Sequence, residues 1–208
     1  MPTGAALADS VGVSSPAVGG LDCVLPLRRR DGSVVGPWVR RFAGNHPEVT
    51  SCRSLLDLVQ RYESPLEFHR KALRMDSPGK ANALVGVLEY LIDIQSRFDE
   101  ASEQERLEAW AKWTRPADYI TVDVRGFALA GFQYLRMLFG AETVKPDAHI
   151  LRYAELVLDR SIRGNHRAQM AVIYAYESAA EKLGRSARQI DVAIWEHQSG
   201  RTHPGRSS

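Results

Sequence analysis

The strongest structural signal in this sequence is a helical repeat of apolar residues between positions 80 and 98. Apolar side chains recur there at steps of three and four, with charged residues between them, as in a helix that buries one face. Similar spacing recurs near residues 54–62, 102–113, 129–139, 146–159, 165–183 and 186–195. The periodicity therefore predicts an all-α fold of eight or nine helices with short connections.

Length and composition limit the classes of protein to consider. A chain of 208 residues is long enough for one well-buried core, or for two small lobes that share a cleft. The formal net charge of +2 permits nucleic-acid binding without requiring it. Two cysteines, Cys23 and Cys52, are too few for a disulfide framework and lack the spacing of a metal site. We therefore expect a reducing, cytoplasmic compartment, no metal ion, and no membrane association.

The two ends differ in composition from the rest of the chain. The first twenty residues are rich in Gly, Ala, Ser and Val and lack the pattern of a signal peptide. We expect a flexible N-terminal arm over residues 1–20, one compact domain over 21–200 and a loose polar tail over 201–208. Asp31-Gly32 is a turn signal, and a short extended piece or hairpin is expected around Val34 to Pro37.

The segment from Val124 to Arg152 carries the functional signal. It predicts a tight turn at Gly126, a helix to Phe139 capped by Gly140, and a further helix opened by Pro146. Asp147 then falls in the first turn of that helix, where N–H groups and the helix dipole favour an ionised carboxylate. Such an aspartate can serve as a structural cap or as a reacting group, and the pattern alone leaves both interpretations open.

This segment resembles the helix-hairpin-helix DNA glycosylases, the superfamily that includes endonuclease III and the archaeal 8-oxoguanine glycosylases. Val124 to Ala128 stands where the hairpin of that family lies, and Asp147, His149 and Arg152 match its Asp-x-His-x-x-Arg element. The resemblance covers about thirty residues, with weaker support from Ala179 to Trp195. It implies a helix-hairpin-helix motif over about residues 117–140 and two helical lobes around a cleft.

The resemblance also implies an activity and a partner. The expected partner is double-stranded DNA that contains a damaged or modified base, which the enzyme extrudes into a pocket. Asp147 is the expected catalytic carboxylate, because cleavage of the N-glycosidic bond builds positive charge on the sugar. The family lysine that forms a Schiff base is replaced by Ala130, and Lys145 does not match its position. A monofunctional, water-based mechanism without a cofactor is therefore expected, in a monomeric protein.

Further residues are candidates for contact with the DNA. The expected hairpin contacts are Arg125, Gly126, Ala128 and Arg136, although a solvated surface position is an alternative for Arg136. Ala128 replaces the second hairpin glycine, which weakens the phosphate contact if that position needs a positive φ. The residues predicted to line the base pocket are Trp38, His46 and Gln133.

Two other classes of protein remain compatible with the sequence. One is a helix-hairpin-helix protein that binds nucleic acid without catalysis, as a sensor or adaptor. The other is a helical interaction protein that has kept the fold and lost DNA binding. An aspartate in the family context favours the enzyme, whereas Ala128 and the modest net charge leave room for both alternatives.

Overall fold

The computed structural model describes residues 15–26, 35–162 and 164–199. Within these residues the secondary structure is entirely helical, with ten α-helices, one 3-10 helix and no strand. The all-α prediction is confirmed. Residues 1–14 of the predicted arm, the turn signal at Asp31-Gly32 and the predicted tail lie outside the described residues.

The helices follow one another with short connections. The α-helices are α1 (Pro16–Val24), α2 (Val35–Asn45), α3 (Cys52–Gln60), α4 (Pro65–Ala72), α5 (Pro78–Gln95), α6 (Glu103–Trp113), α7 (Leu129–Leu138), α8 (Ala148–Leu158), α9 (His166–Leu183) and α10 (Ala187–Ser199). The 3-10 helix (Pro116–Thr121) lies between α6 and α7. No described helix has both the length and the apolar character needed to cross a membrane.

The chain divides into two compact units, Met1–Ala141 and Glu142–Ser208. The first unit contains α1 to α7 and the 3-10 helix, and the second contains α8 to α10. Each unit has a hydrophobic core of its own. The single domain predicted over residues 21–200 is therefore built from two cores.

Helix α5 organises the core of the first unit. It packs against α1, α3, α4 and α6, and its residues Leu84, Leu88 and Leu91 are fully buried. The aromatic ring of Trp110 on α6 lies edge-on to Phe132 of α7, with 6.0 Å between the ring centroids. The helical repeat that dominates the sequence thus marks the helix around which the first unit is built.

The predicted arm ends earlier than residue 20, because Pro16–Val24 is a helix in the core. Ala17 and Leu21 are fully buried, and Ser15 caps the helix by accepting a hydrogen bond from the N–H of Val18. A Cβ atom at Gly20 would lie 2.9 Å from Leu88 Cδ2. The glycines that disfavour a helix in isolation therefore allow α1 to pack closely on α5, and packing overrides propensity.

The prediction of an extended piece around Val34 to Pro37 is wrong for residues 35–37, which the structure describes. They begin α2, in which Val39 and Phe42 are buried three positions apart. Pro37 lies in the first turn, where the N–H that proline lacks would have no partner within the helix. Trp38, a predicted pocket residue, consequently lies on a helix.

The second unit is a three-helix cluster. Helix α10 packs against α8 and α9, and the core contains Ile150, Ala154, Val172 and Ile194. The segment 142–147 precedes α8 and has no regular secondary structure. Asp147 lies at the end of this segment.

Candidate functional site

Asp147 is the N-cap of α8. The helix begins at Ala148, two residues later than predicted, because Asp147 adopts an extended backbone with φ −84° and ψ −177°. Its Oδ1 atom accepts hydrogen bonds from the N–H of His149 at 2.9 Å and of Ile150 at 3.2 Å. Among the described residues, no hydrogen bond to Oδ2 is seen. One carboxylate oxygen therefore fixes the side chain at the start of α8.

The segment before Asp147 is fixed to α9 and α10. Thr143 donates a hydrogen bond to Glu177 Oε1 at 2.6 Å, and the N–H of Lys145 donates to Asp191 Oδ1 at 3.1 Å. A tight turn follows, in which the N–H of Asp147 donates to the carbonyl oxygen of Lys145 at 2.7 Å. Asp147 is thus held both by its own helix and by the neighbouring helices of the second unit.

Asp191 is a second carboxyl group in this cluster. Burial raises its pKa to about 7, the negative charge of Asp147 adds to the increase, and the N–H of Lys145 and the charge of Arg188 oppose it. Near neutral pH, Asp191 therefore holds a proton for much of the time, while Asp147 caps a helix. A carboxyl group whose pKa is strongly raised by burial is one indication of a candidate functional site.

The other residues of the Asp-x-His-x-x-Arg element are placed on α8. The imidazole ring of His149 lies edge-on to Trp195 of α10, with 6.3 Å between the ring centroids. Its Nδ1 atom is buried and has no hydrogen-bond partner among the described residues. The side chain of Arg152 is exposed. His149 therefore packs between α8 and α10.

The predicted turn at Gly126 is confirmed in the first unit. The N–H of Phe127 donates to the carbonyl oxygen of Val124 at 3.0 Å, which closes a four-residue turn. Gly126, at its third position, has φ 86°, a conformation that a residue with a side chain rarely adopts. Before this turn stands a 3-10 helix of six residues, Pro116–Thr121.

The turn is positioned by its apolar residues. Val122 and Phe127 are buried in the core, and Val124 packs on α5 at Gly86, where a Cβ atom would lie 2.8 Å from Val124 Cγ2. Arg125 and Gly126 are left exposed between these anchors. The turn therefore presents Arg125 and Gly126 to solvent between buried apolar residues.

Ala128 does not have the positive φ that would penalise an alanine. It is the N-cap of α7 with φ −104°, which is ordinary extended backbone for any residue. Its side chain supplies no capping hydrogen bond. The replacement of the second hairpin glycine is therefore tolerated without strain.

A cavity of about 840 Å³ lies beside the turn in the first unit. It brings together three residues that were predicted as site residues on separate grounds, Trp38, Arg125 and Gly126. The loop before α5 and the first turns of that helix complete the wall, with Arg74, Met75, Asp76, Ser77, Pro78, Gly79, Lys80, Asn82 and Ala83. Pockets of this size accommodate small organic ligands.

Two predicted site residues are in the interior of the first unit. Arg136 is 6% exposed, and Gln133 is fully buried. The guanidinium of Arg136 donates to the carbonyl oxygen of Ala111 at 3.1 Å and to Gln133 Oε1 at 2.8 Å. The predictions of Arg136 as a DNA contact and of Gln133 as a pocket residue are therefore wrong. The two side chains are buried and hydrogen-bond to each other inside the fold.

His46 is half-buried at the start of the connection after α2 and does not line the cavity. Its ring packs on Phe42 with 4.8 Å between the ring centroids, and its Nδ1 atom lies 3.6 Å from Glu48 Oε1. These contacts give His46 a structural role at the end of a helix.

Sequence reasoning missed Asp191, Arg74 and Lys80. Asp191 lies 44 positions after Asp147 on another helix, and no local pattern connects them. Arg74 and Lys80 flank the Ser-Pro-Gly break at 77–79, and basic residues beside the start of a long helix are a signal that could have been used.

Comparison with curated proteins and with solved structures finds no match. A family model described as "Domain of unknown function (DUF8548)" matches residues 39–199. The match includes the Val124–Phe127 turn, Asp147 and Asp191. The chain therefore belongs to the family described as a domain of unknown function, DUF8548.

Proposed function

We propose that this protein is a monofunctional DNA glycosylase that extrudes a damaged or modified base and hydrolyses its N-glycosidic bond. The observation that carries the proposal is the geometry of Asp147, whose carboxylate is fixed by two N–H groups at the start of α8. The resemblance of residues 124–152 to the helix-hairpin-helix glycosylases supplies the reaction. A rigid carboxylate is what that reaction requires.

Asp147 acts on the sugar in this mechanism. Departure of the base leaves positive charge on the sugar ring, and the nearby carboxylate stabilises that charge and orients the attacking water. Ala130 stands where the bifunctional glycosylases carry a lysine, so water takes the place of an amine nucleophile. The base is released and the DNA strand remains intact.

Asp191 acts through Asp147 as a positioning residue. Its carboxyl oxygen holds the N–H of Lys145, two residues before Asp147. Burial raises the pKa of Asp191 to about 7, so this carboxyl group carries little negative charge below neutral pH. This arrangement lets two carboxyl groups share a site without strong mutual repulsion.

The exposed turn supplies the contact with the DNA backbone. A glycine with a positive φ allows a phosphate to approach the main chain, and Arg125 adds a positive charge beside it. Trp38 lies on the wall of the same cavity. A protein with this turn and a non-catalytic Asp147 would bind DNA without cleaving it, and that sensor or adaptor is the second candidate.

The test uses purified protein and duplexes that carry a panel of damaged and modified bases. Alkali converts each abasic site into a strand break. We expect breaks with at least one substrate for the wild type, and at least about a hundredfold slower formation for Asp147→Asn and Asp147→Ser. Both replacements are good N-caps, so the free energy of unfolding should change little.

A matched variant separates catalysis from capping. Asn165 caps α9 in the same unit by accepting a hydrogen bond from the N–H of Ala168 at 3.1 Å. Asn165→Ala should lower the free energy of unfolding by about 1 kcal/mol, as a lost cap does, and should leave the cleavage rate unchanged. Equal losses of activity in Asn165→Ala and Asp147→Asn would reduce Asp147 to a structural cap.

The remaining outcomes distinguish the other candidates. Binding to every duplex without any break indicates the non-catalytic adaptor. No binding at low salt, where phosphate contacts are strongest, argues against a DNA partner. A covalent adduct trapped by borohydride would contradict hydrolysis by water and would direct attention to lysines such as Lys145.

A further inference from the structure

We infer that the cavity beside the Val124–Phe127 turn binds the phosphate group of a nucleotide, with Arg74, Lys80, Arg125 and the N-terminus of α5 as its ligands. The inference goes beyond the proposed function, because a nucleotide can occupy this cavity whether or not Asp147 excises a base. The phosphate can belong to a free nucleotide or to a DNA strand, and the experiment below separates these sources.

The charge of the lining favours an anion. Three cationic side chains, Arg74, Lys80 and Arg125, line the cavity together with one carboxylate, Asp76. That carboxylate is already paired, since Arg70 Nη2 lies 3.0 Å from Asp76 Oδ1 and Arg70 Nε donates a hydrogen bond to it. The lining is therefore positively charged in a protein whose formal net charge is only +2.

Lys80 is fixed in the wall of the cavity. It is half-buried, and its Nζ atom donates a hydrogen bond to the carbonyl oxygen of Leu25 in the connection after α1. Its positive charge attracts an anion whichever of its three donors are engaged. A cation that is held in place loses less entropy on binding than a mobile one.

The main chain of α5 adds to the positive charge. This helix of 18 residues begins at the cavity, and its N-cap residue Ser77 makes no side-chain capping hydrogen bond. The serine thus leaves the first N–H groups without the partner that a capping side chain would supply. Aligned peptide dipoles give such a terminus a partial positive charge, which attracts phosphate.

Open space surrounds the main chain at this point. A Cβ atom at Gly79, the second residue of α5, would have no neighbour within 4 Å. Gly126, on another element of the lining, is also exposed. Two glycines therefore let a ligand approach the main chain from both the helix and the turn.

The volume and one wall of the cavity indicate that the ligand is larger than inorganic phosphate. About 840 Å³ is within the range of pockets that hold cofactors and other small organic molecules. Trp38 lies on the wall, and indole rings bind nucleobases by stacking. A phosphate attached to a flat ring system matches both the cationic and the aromatic parts of the lining.

Calorimetric titrations at low ionic strength test this inference with inorganic phosphate, a nucleoside, the corresponding nucleoside 5′-monophosphate and a short undamaged duplex. We expect the monophosphate to bind at least about tenfold more tightly than either the nucleoside or phosphate alone, because it combines charge with stacking. Binding of the duplex without binding of the free nucleotide would assign the phosphate to a DNA strand.

The decisive variant is Gly79→Asp. An acidic residue in the first turn of a helix stabilises it, so the thermal midpoint should stay the same or rise while phosphate is repelled from the cavity. We expect affinity for the nucleotide or the duplex to fall at least about tenfold in Gly79→Asp and in Arg125→Ala, but not in Arg53→Ala, which removes an exposed arginine outside the cavity. Unchanged affinity in Gly79→Asp for every ligand that binds would overturn the inference, as would the absence of binding by all four.

Discussion

His69 and Asp191 are ionisable side chains whose burial favours their neutral forms. His69 is fully buried, and neither ring nitrogen has a hydrogen-bond partner among the described residues. Burial lowers its pKa to about 4, and the nearby charge of Lys80 contributes to the decrease. For Asp191, burial acts in the opposite direction and raises the pKa to about 7. The two residues therefore make stability depend on pH with opposite signs.

The first prediction concerns acid denaturation. The pKa of His69 is lower in the folded state than in the unfolded state. Its contribution to the free energy of unfolding is therefore complete above about pH 6.5 and is lost as the pH falls toward 4. Between pH 7 and pH 4.5 the free energy of unfolding of the wild type should fall by about 2 to 3 kcal/mol more than that of His69→Leu. Urea unfolding of both proteins at the two pH values measures this difference, and equal losses would show that His69 does not titrate as described.

The second prediction concerns the carboxyl pair. The pKa of Asp191 is higher in the folded state, so the folded protein is destabilised as the pH rises from about 4 to about 7. Asp191→Asn cannot ionise, and its oxygen can still accept the hydrogen bond from Lys145. This variant should therefore gain stability relative to the wild type as the pH rises through that range.

A titration of Asp191 in the variant Asp147→Asn tests the coupling between the two residues. The charge of Asp147 contributes to the raised pKa, so its removal should lower the pKa of Asp191, as followed by carbon-detected NMR of the carboxyl group. An unchanged pKa would mean that the two carboxyl groups do not interact.

At the scale of single elements, the long amphipathic helices could be predicted from the sequence and the close contacts could not. The repeat from residue 80 to 98 anticipates α5, which spans Pro78–Gln95. Helix α1 was missed because Gly19 and Gly20 lower helix propensity, and only their neighbours on other helices explain why glycine is needed there. Arg136 and Gln133 were misplaced because α7 is buried on nearly every side, so its polar residues do not mark a solvent face.

The third prediction concerns the support of the exposed turn. Gly86 on α5 leaves room for Val124, which holds the turn that presents Arg125. Gly86→Leu should destabilise the first unit by about 1 to 3 kcal/mol through overpacking. Val124→Ala should restore part of this loss in the double variant, because it removes the methyl groups that clash.

Thermal unfolding of the two single variants and the double variant measures this coupling. Additive effects of the two substitutions would show that Gly86 and Val124 do not pack against each other. The same series, titrated with the nucleotide ligand, reports whether the position of the turn also sets the affinity of the cavity.

In the molecule as a whole, two groupings of residues could be recognised only from the folded chain. Asp147 and Asp191 come from different helices of the second unit, and only their packing joins them. Trp38, Lys80 and Arg125 are far apart in sequence and line one cavity in the first unit. A net charge of +2 averages over the chain and conceals this local concentration of cations. By contrast, Asp147 could be found from sequence because its role as an N-cap is set by adjacent residues.

The proposed role of Asp147, to stabilise positive charge on the sugar, can be tested without knowing the substrate base. The measurement compares affinities for two duplexes, one with a cationic pyrrolidine in place of a deoxyribose and one with a neutral tetrahydrofuran. The wild type and Asn165→Ala should bind the cationic duplex at least about tenfold more tightly, the ratio expected for one charge-assisted contact. In Asp147→Asn the ratio should fall to about one. Equal affinity of the wild type for both duplexes would contradict the claim.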